Sequence, residues 1–226
     1  MRAMILAAGF GERMRPLTES CPKPLLEVGG RALIEYHLSA LVKAGITDIV
    51  INVSHLGHQI EQRLGDGARY GVSIEYSRES SPLETAGGIA NALHLLGDAP
   101  LLLVNGDIWC DYPFSQLPSQ IDGMAHLVLV NNPAHHPCGD FVLNDLGKVV
   151  ETTGELQRLT FAGIGIYRPE LFQGIAESQP APLAPLLISA MREGRVTGEH
   201  YRGEWLDIGT PERLQELDRK LKEVKT

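Results

Sequence analysis

Cysteine is scarce in this chain of 226 residues: Cys21, Cys110 and Cys138 are scattered, odd in number and free of any C-x-x-C pair. That pattern argues against a disulfide framework or a zinc knuckle and leaves free thiols. Long apolar runs are missing too. No stretch approaches the ~20 residues of a membrane span, and the N-terminal run reaches Gly9 too soon for a signal peptide. The expectation is a cytoplasmic protein that does not engage a membrane. Positive charge is the minority sign, with 20 Lys and Arg against 28 Asp and Glu and a net charge of −8. Such a surface repels a phosphate polymer, so nucleic acid is not an expected partner. The chain also lacks internal repeats, low-complexity tracts and the Gly-Lys-Ser/Thr of a P-loop.

What is present suits a buried core: 43% of residues are hydrophobic, at a length that large α/β units reach as one domain. Continuous apolar runs at Met4–Ala8, Asp48–Val53 and Leu101–Asn105, with Val72–Ser77 alternating, read as strands. Helical spacing appears from Ala32 to Val42, stopped by Gly45, and again at His58–Leu64 and Ala86–Leu96. Strands apolar on both faces, alternating with helices, predict a doubly wound α/β fold with a mainly parallel sheet and helices on either side. Gly9 to Gly30 reads as one long loop. Past Asp111 the reading turns β-rich, with strands at Ala125–Val130 and Phe161–Tyr167 and a hairpin from Phe141 to Val150 around Asn144-Asp145-Leu146-Gly147. That half is able to cover the carboxyl edge of the sheet as a lid. Helices at Leu183–Arg192 and Pro211–Lys222 close the chain, which divides into a nucleotide-binding half (1–111) and a second half (112–226).

The first strand feeds Gly9-Phe10-Gly11-Glu12-Arg13-Met14-Arg15, a glycine turn at the sheet edge where open α/β proteins bind phosphates. Gly9 and Gly11 allow close backbone approach, and Arg13 and Arg15 add guanidinium groups. The same residues also suit a plain tight turn with solvated arginines. The dinucleotide fingerprint fails, because Met14 stands where its third small residue belongs. Lys23 follows between Pro22 and Pro24, whose stiff backbones aim its ammonium at low entropic cost.

Taken together, Ala7-Ala8-Gly9-x-Gly11-x-Arg13-x-Arg15-Pro16-Leu17-Thr18 and Pro22-Lys23-Pro24-Leu25 resemble the signature of the sugar-1-phosphate nucleotidylyltransferases. Leu83-Glu84-Thr85-Ala86-Gly87-Gly88 is similar to that family's base-contacting segment. Val104-Asn105-Gly106-Asp107 is similar to its first metal site and Trp205-Leu206-Asp207-Ile208-Gly209-Thr210-Pro211 to its second. The resemblance implies a Rossmann-like fold with a β-rich sugar-binding lid. It assigns Arg13 and Lys23 as catalytic residues on the triphosphate, and Asp107 with Asp207 as ligands of Mg²⁺. It implies nucleotide contacts from Ala7, Ala8, Gly9, Gly11, Glu12, Glu79, Glu84 and Gly88, and sugar contacts from Asn105, Gly139, Asp140 and Glu151. Asp207 also suits a cap for the helix at Pro211, and either glutamate suits a solvated loop. One departure stands out: where many members carry Glu-Lys-Pro, this chain reads Glu151-Thr152-Thr153-Gly154-Glu155. His135-His136-Pro137-Cys138, lacking a partner pair at ligand spacing, reads as an exposed loop.

The activity implied is transfer of UMP from UTP to a sugar 1-phosphate, N-acetylmuramate 1-phosphate foremost, in cell-wall recycling. The alternatives are guanylyl transfer to mannose 1-phosphate and a catalytically silent nucleotide-sugar sensor. Oligomeric state is not legible.

Overall fold

The computed structural model describes residues 1–151 and 157–223. Its strands in the first half are β1 (Ala3–Leu6), β2 (Glu27–Val28), β3 (Arg31–Ala32), β4 (Asp48–Val53), β5 (Ser73–Arg78), β6 (Leu101–Asn105) and β7 (Ile108–Cys110). Those of the second half are β8 (Ala125–Val130), β9 (Val142–Leu143), β10 (Val149–Val150), β11 (Thr160–Tyr167), β12 (Val196–Tyr201) and β13 (Trp205–Asp207). The helices are α1 (Leu33–Lys43), α2 (Gly57–Leu64), α3 (Glu84–Leu96), α4 (Leu183–Arg192) and α5 (Pro211–Glu223). Among the described residues no helix is long and apolar enough to cross a membrane.

Seven strands make one sheet in the order β12-β8-β11-β6-β1-β4-β5. β1 lies parallel to both β4 and β6, and β4 parallel to β5. β11 is antiparallel to β6 and β8, while β12 returns parallel to β8. Three strands of the β-rich second half therefore lengthen the sheet, and the small hairpin β9–β10 stands outside it.

Strand alternation distributes the core between the two faces. Ala3, Ile5, Ile49, Ile51, Leu102 and Val104 join Ile34, Leu38 and Leu41 of α1 and Ile60 and Leu64 of α2. Their neighbours Met4, Val50, Leu101 and Leu103 turn the other way, onto Ile89 and Leu96 of α3 and Leu187 and Met191 of α4. Each such side chain, fully removed from water, contributes roughly 1.5–3 kcal/mol before entropy is counted. A third cluster packs Met14, Val28, Leu33, Trp109 and Ile208 against Leu214 and Leu217 of α5.

Chain order then fixes the crevice. From β1 the chain moves to β4 and β5 on one side, and returns to β6 on the other. The loops leaving β1 and β6 diverge at their carboxyl ends, the switch point where open α/β sheets take ligands. The stretch from Gly9 to Gly30 is less open than its composition suggests. It holds three short 3₁₀ turns (Glu12–Met14, Leu17–Glu19 and Lys23–Leu25) and leads into the β2–β3 ribbon.

Candidate active site

A cleft of about 600 Å³ opens at this switch point. Ala7, Ala8, Gly9, Gly11, Glu12 and Arg13 line one side, with Lys23, Glu79, Glu84, Asn105 and Asp107 around the rest. A Cβ on Gly9 would meet nothing within 4 Å, so this backbone faces open space, as close approach of a ligand requires. Gly11 instead serves the turn: its φ is +64°, and a Cβ there would sit 2.8 Å from Thr18 Cγ2. Its carbonyl accepts bonds from the Met14 N–H (2.8 Å) and the Thr18 hydroxyl (2.8 Å). Met14, fully buried in the third cluster, anchors the loop that carries Arg13. Arg15 lines neither this cleft nor the adjoining one described below.

The opposite wall is the start of α3. The Ala86 and Gly87 N–H groups both donate to the Ala181 carbonyl (2.9 and 3.1 Å), and the Ala181 N–H donates to the Leu83 carbonyl (3.0 Å). This helix terminus is thus closed by the protein's own chain, which leaves the Gly9–Arg13 loop as the side with open backbone. Beneath the wall, Glu79 is buried with both oxygens engaged. Oε1 accepts from Asn52 Nδ2 (2.7 Å) and Oε2 from the Leu83 N–H (3.0 Å). Burial pushes its carboxyl pKa up against the pull of those two bonds. Asn52 completes the chain by accepting the Ala7 N–H at 2.8 Å.

Asp107 and Asp207 arrive from distant segments. β7 and β13 form an antiparallel ribbon in which Asp207 pairs with Ile108, and the Ile208 N–H donates to the Asp107 carbonyl at 2.9 Å. Both aspartates line a second cleft of about 370 Å³ that shares Arg13, Asn105 and Asp107 with the first. Each carboxylate already has a cation. Lys23 Nζ lies 2.8 Å from Asp107 Oδ2, and Arg213 Nη1 lies 2.8 Å from Asp207 Oδ2. Arg213 Nη1 also lies 2.7 Å from His135 Nε2. A guanidinium only donates, so Nε2 accepts there, and its 3.3 Å approach to Asp207 is proximity without a hydrogen bond. Under Asp107, His37 of α1 is fully buried. Burial lowers its pKa to about 4 and keeps the ring neutral, although the Asp107 charge and a bond to the Ile108 backbone pull the other way.

The remaining expected residues divide. Asp140 lines the second cleft, its carboxylate held by His136 Nε2 (3.0 Å) and the Phe161 N–H (2.8 Å). Gly88 and Gly139 line neither cleft but make room: a Cβ on Gly88 would meet Glu79 Oε1 at 2.8 Å, and one on Gly139 would meet Asn132 Oδ1 at 2.6 Å. Glu151 is not brought to either cleft. Its carboxylate pairs with Arg192 of α4 at 2.9 Å, a partner that no local motif announces. Thr152, Thr153, Gly154 and Glu155, where the departure from Glu-Lys-Pro falls, lie outside the described residues. His135 and His136 stand in an exposed loop that also lines the second cleft, and Arg213 supports it from α5; sequence reasoning missed all three as site residues. The adjoining Gly139-Asp140 was the available signal for the histidines.

Asp107 and Asp207 bring two carboxylates to the second cleft, and a hard divalent cation is able to use one or two such oxygen donors together with water and phosphate oxygens.

Comparison with known proteins fits this geometry. The chain is 54% identical over 224 residues to an N-acetylmuramate alpha-1-phosphate uridylyltransferase of Neisseria meningitidis serogroup B, covering 96% of each chain. It is 33% identical to a mannose-1-phosphate guanyltransferase of Hypocrea jecorina, covering 93% of this chain and 61% of that one. A crystal structure from Bacillus anthracis, provisionally named a glucose-1-phosphate thymidylyltransferase, superposes with a TM-score of 0.86 at 22% identity, over 99% of this chain and 96% of that one. The nucleotidyl transferase family model matches residues 2–224, a span that holds every residue of both clefts. By that match along nearly its whole length, the chain belongs to the nucleotidyl transferase family.

Proposed function

We propose that this enzyme transfers UMP from UTP to a sugar 1-phosphate, with N-acetylmuramate 1-phosphate as the preferred acceptor, and releases pyrophosphate. The observation that carries the reading is 54% identity across 96% of both chains to a protein named for that reaction. The guanyltransferase relative is less similar, and this chain spans only 61% of it.

The chemistry follows from the residues. A phosphate monoester carries about −1.5 to −2 charges at neutral pH, so the attacking oxygen is already ionised and needs no general base. The sugar phosphate oxygen forms a bond to the α-phosphorus as the bond to the β-phosphate oxygen breaks. What the site must supply is positioning and positive charge for two anions brought together. Arg13, shared by both clefts, and Lys23, in the larger one, face charge that grows on the departing pyrophosphate. Asp107 and Asp207 are the residues to hold Mg²⁺, which when bound supplies positive charge to phosphate oxygens. Asn105 and Asp140 line the second cleft, where the sugar is accommodated, and Glu84 is the candidate reader of the base edge.

A grid of four nucleoside triphosphates against a panel of sugar 1-phosphates, read by pyrophosphate release and product mass, tests this. UTP with N-acetylmuramate 1-phosphate is expected to be the fastest pair. Equal turnover of GTP with mannose 1-phosphate would overturn the specificity, and binding without pyrophosphate from any pair would point to a sensor.

A further inference from the structure

Asn52 and Glu79 are the two buried polar side chains in the wall of the larger cleft to which the transfer chemistry gives no work. Asn52 is the penultimate residue of β4, opposite Leu6 of β1 and Ser77 of β5, and is 3% exposed; Glu79 lies just past β5 and is 7% exposed. Together they form one continuous chain of bonds across the floor of the cleft. The Ala7 N–H donates to Asn52 Oδ1 (2.8 Å), Asn52 Nδ2 donates to Glu79 Oε1 (2.7 Å), and the Leu83 N–H donates to Glu79 Oε2 (3.0 Å). Ala7 begins the glycine loop, and Leu83 begins the facing wall. The amide orientation of Asn52 is fixed from both ends, because a backbone N–H needs its oxygen and a carboxylate needs its nitrogen. α3 has given way to this pair: a Cβ on Gly88 would lie 2.8 Å from Glu79 Oε1 and 3.0 Å from Asn52 Nδ2.

We propose that Asn52 and Glu79 are positioning residues that hold the Ala7 and Leu83 walls of the larger cleft at the separation a nucleoside triphosphate requires. The proposal rests on reading this cleft as the nucleotide site. The relay has a defined polarity. Two donors converge on Glu79, so it must offer two acceptors, and glutamine offers only one. In Glu79→Gln either the Asn52 amide or the Leu83 N–H is left facing an NH₂ group in a buried setting. In Asn52→Asp two carboxylates face each other where one bond stood. The double variant, Asn52→Asp with Glu79→Gln, reverses the middle bond and satisfies every group again. The aspartate accepts from Ala7 and from the glutamine NH₂, and the glutamine oxygen accepts from Leu83. Size and net charge are conserved.

The test is steady-state kinetics of the two single variants and the double variant, with whichever nucleotide the wild type turns over fastest, alongside thermal midpoints. Each single change is expected to raise the nucleotide KM at least about tenfold while the sugar 1-phosphate KM stays within about twofold, and the double variant is expected to return within about threefold of wild type. Failure of the double variant to recover would overturn the relay and favour direct contact of Glu79 with the ligand. A fall in thermal midpoint with an unchanged nucleotide KM would overturn it in favour of a purely structural pair. Preference of the wild type for GTP would refute the assignment of the base, and the swap would still be decided on GTP.

Discussion

At the scale of single residues, the feature with most consequence is the pairing of Asp107 with Lys23 and of Asp207 with Arg213. Lys23, 10% exposed at its side chain, lies 2.8 Å from an Asp107 carboxylate that is 38% exposed. Phosphate oxygens entering the cleft compete for the same ammonium. On the proposed mechanism, replacing Lys23 by alanine removes charge that stabilises the departing pyrophosphate, and turnover is expected to fall about a hundredfold. Stability should change by less than about 1 kcal/mol, because the aspartate left behind is hydrated. Turnover and urea midpoint measured on one preparation check this, and a large loss of stability with near-normal turnover would make Lys23 a structural counter-ion. The lysine was legible in the sequence from its two flanking prolines. Its partner was not, since a contact between residues 23 and 107 is decided by the meeting of the β1 and β6 loops.

Among elements, α3 shows how glycine placement shapes a wall. A Cβ on Gly87 would overlap the Gln179 carbonyl oxygen and lie 3.0 Å from the Ala181 nitrogen, both backbone atoms. Alanine here gains about 1 kcal/mol of helix propensity but must displace a loop that supplies three hydrogen bonds, at a cost of roughly 1–3 kcal/mol. Overlap with backbone is the larger effect, so Gly87→Ala is expected to lower the denaturant midpoint; a raised midpoint would show that the loop yields freely. The elements themselves were largely readable. Leu101–Asn105, Ala125–Val130 and Leu183–Arg192 fall where apolar runs and periodicity put them. The strands not foreseen are β2, β3, β7, β12 and β13; all are short or mixed in polarity, and partners far along the chain define the last three. Read locally, Trp205–Asp207 was only the approach to a helix. Paired with Ile108–Cys110, it becomes the segment that brings the second aspartate to the first.

For the whole molecule, the acidic excess extends into the clefts: Arg13 and Lys23 stand in the larger one among Glu12, Glu79, Glu84 and Asp107, and Arg213 backs His135 at the other. Motifs spread from residue 7 to residue 209 converge there since the switch point of the sheet, the start of α3 and the β7–β13 ribbon share one edge. Convergence of that kind follows from topology: Ala7 to Arg13, Lys23, Glu79 and Glu84 line one cleft, while Glu151 is drawn to Arg192. The reaction proposed is a single direct displacement at the α-phosphorus. Among the described residues Lys23 is the one amine lining the larger cleft, and it is paired with Asp107 rather than presented as a nucleophile. The stereochemical course with one diastereomer of UTP bearing sulfur on the α-phosphorus tests this most directly. In-line attack by the sugar phosphate predicts inversion of configuration in the nucleotide sugar; retention would reveal two displacements through a nucleotidyl-enzyme and contradict the account.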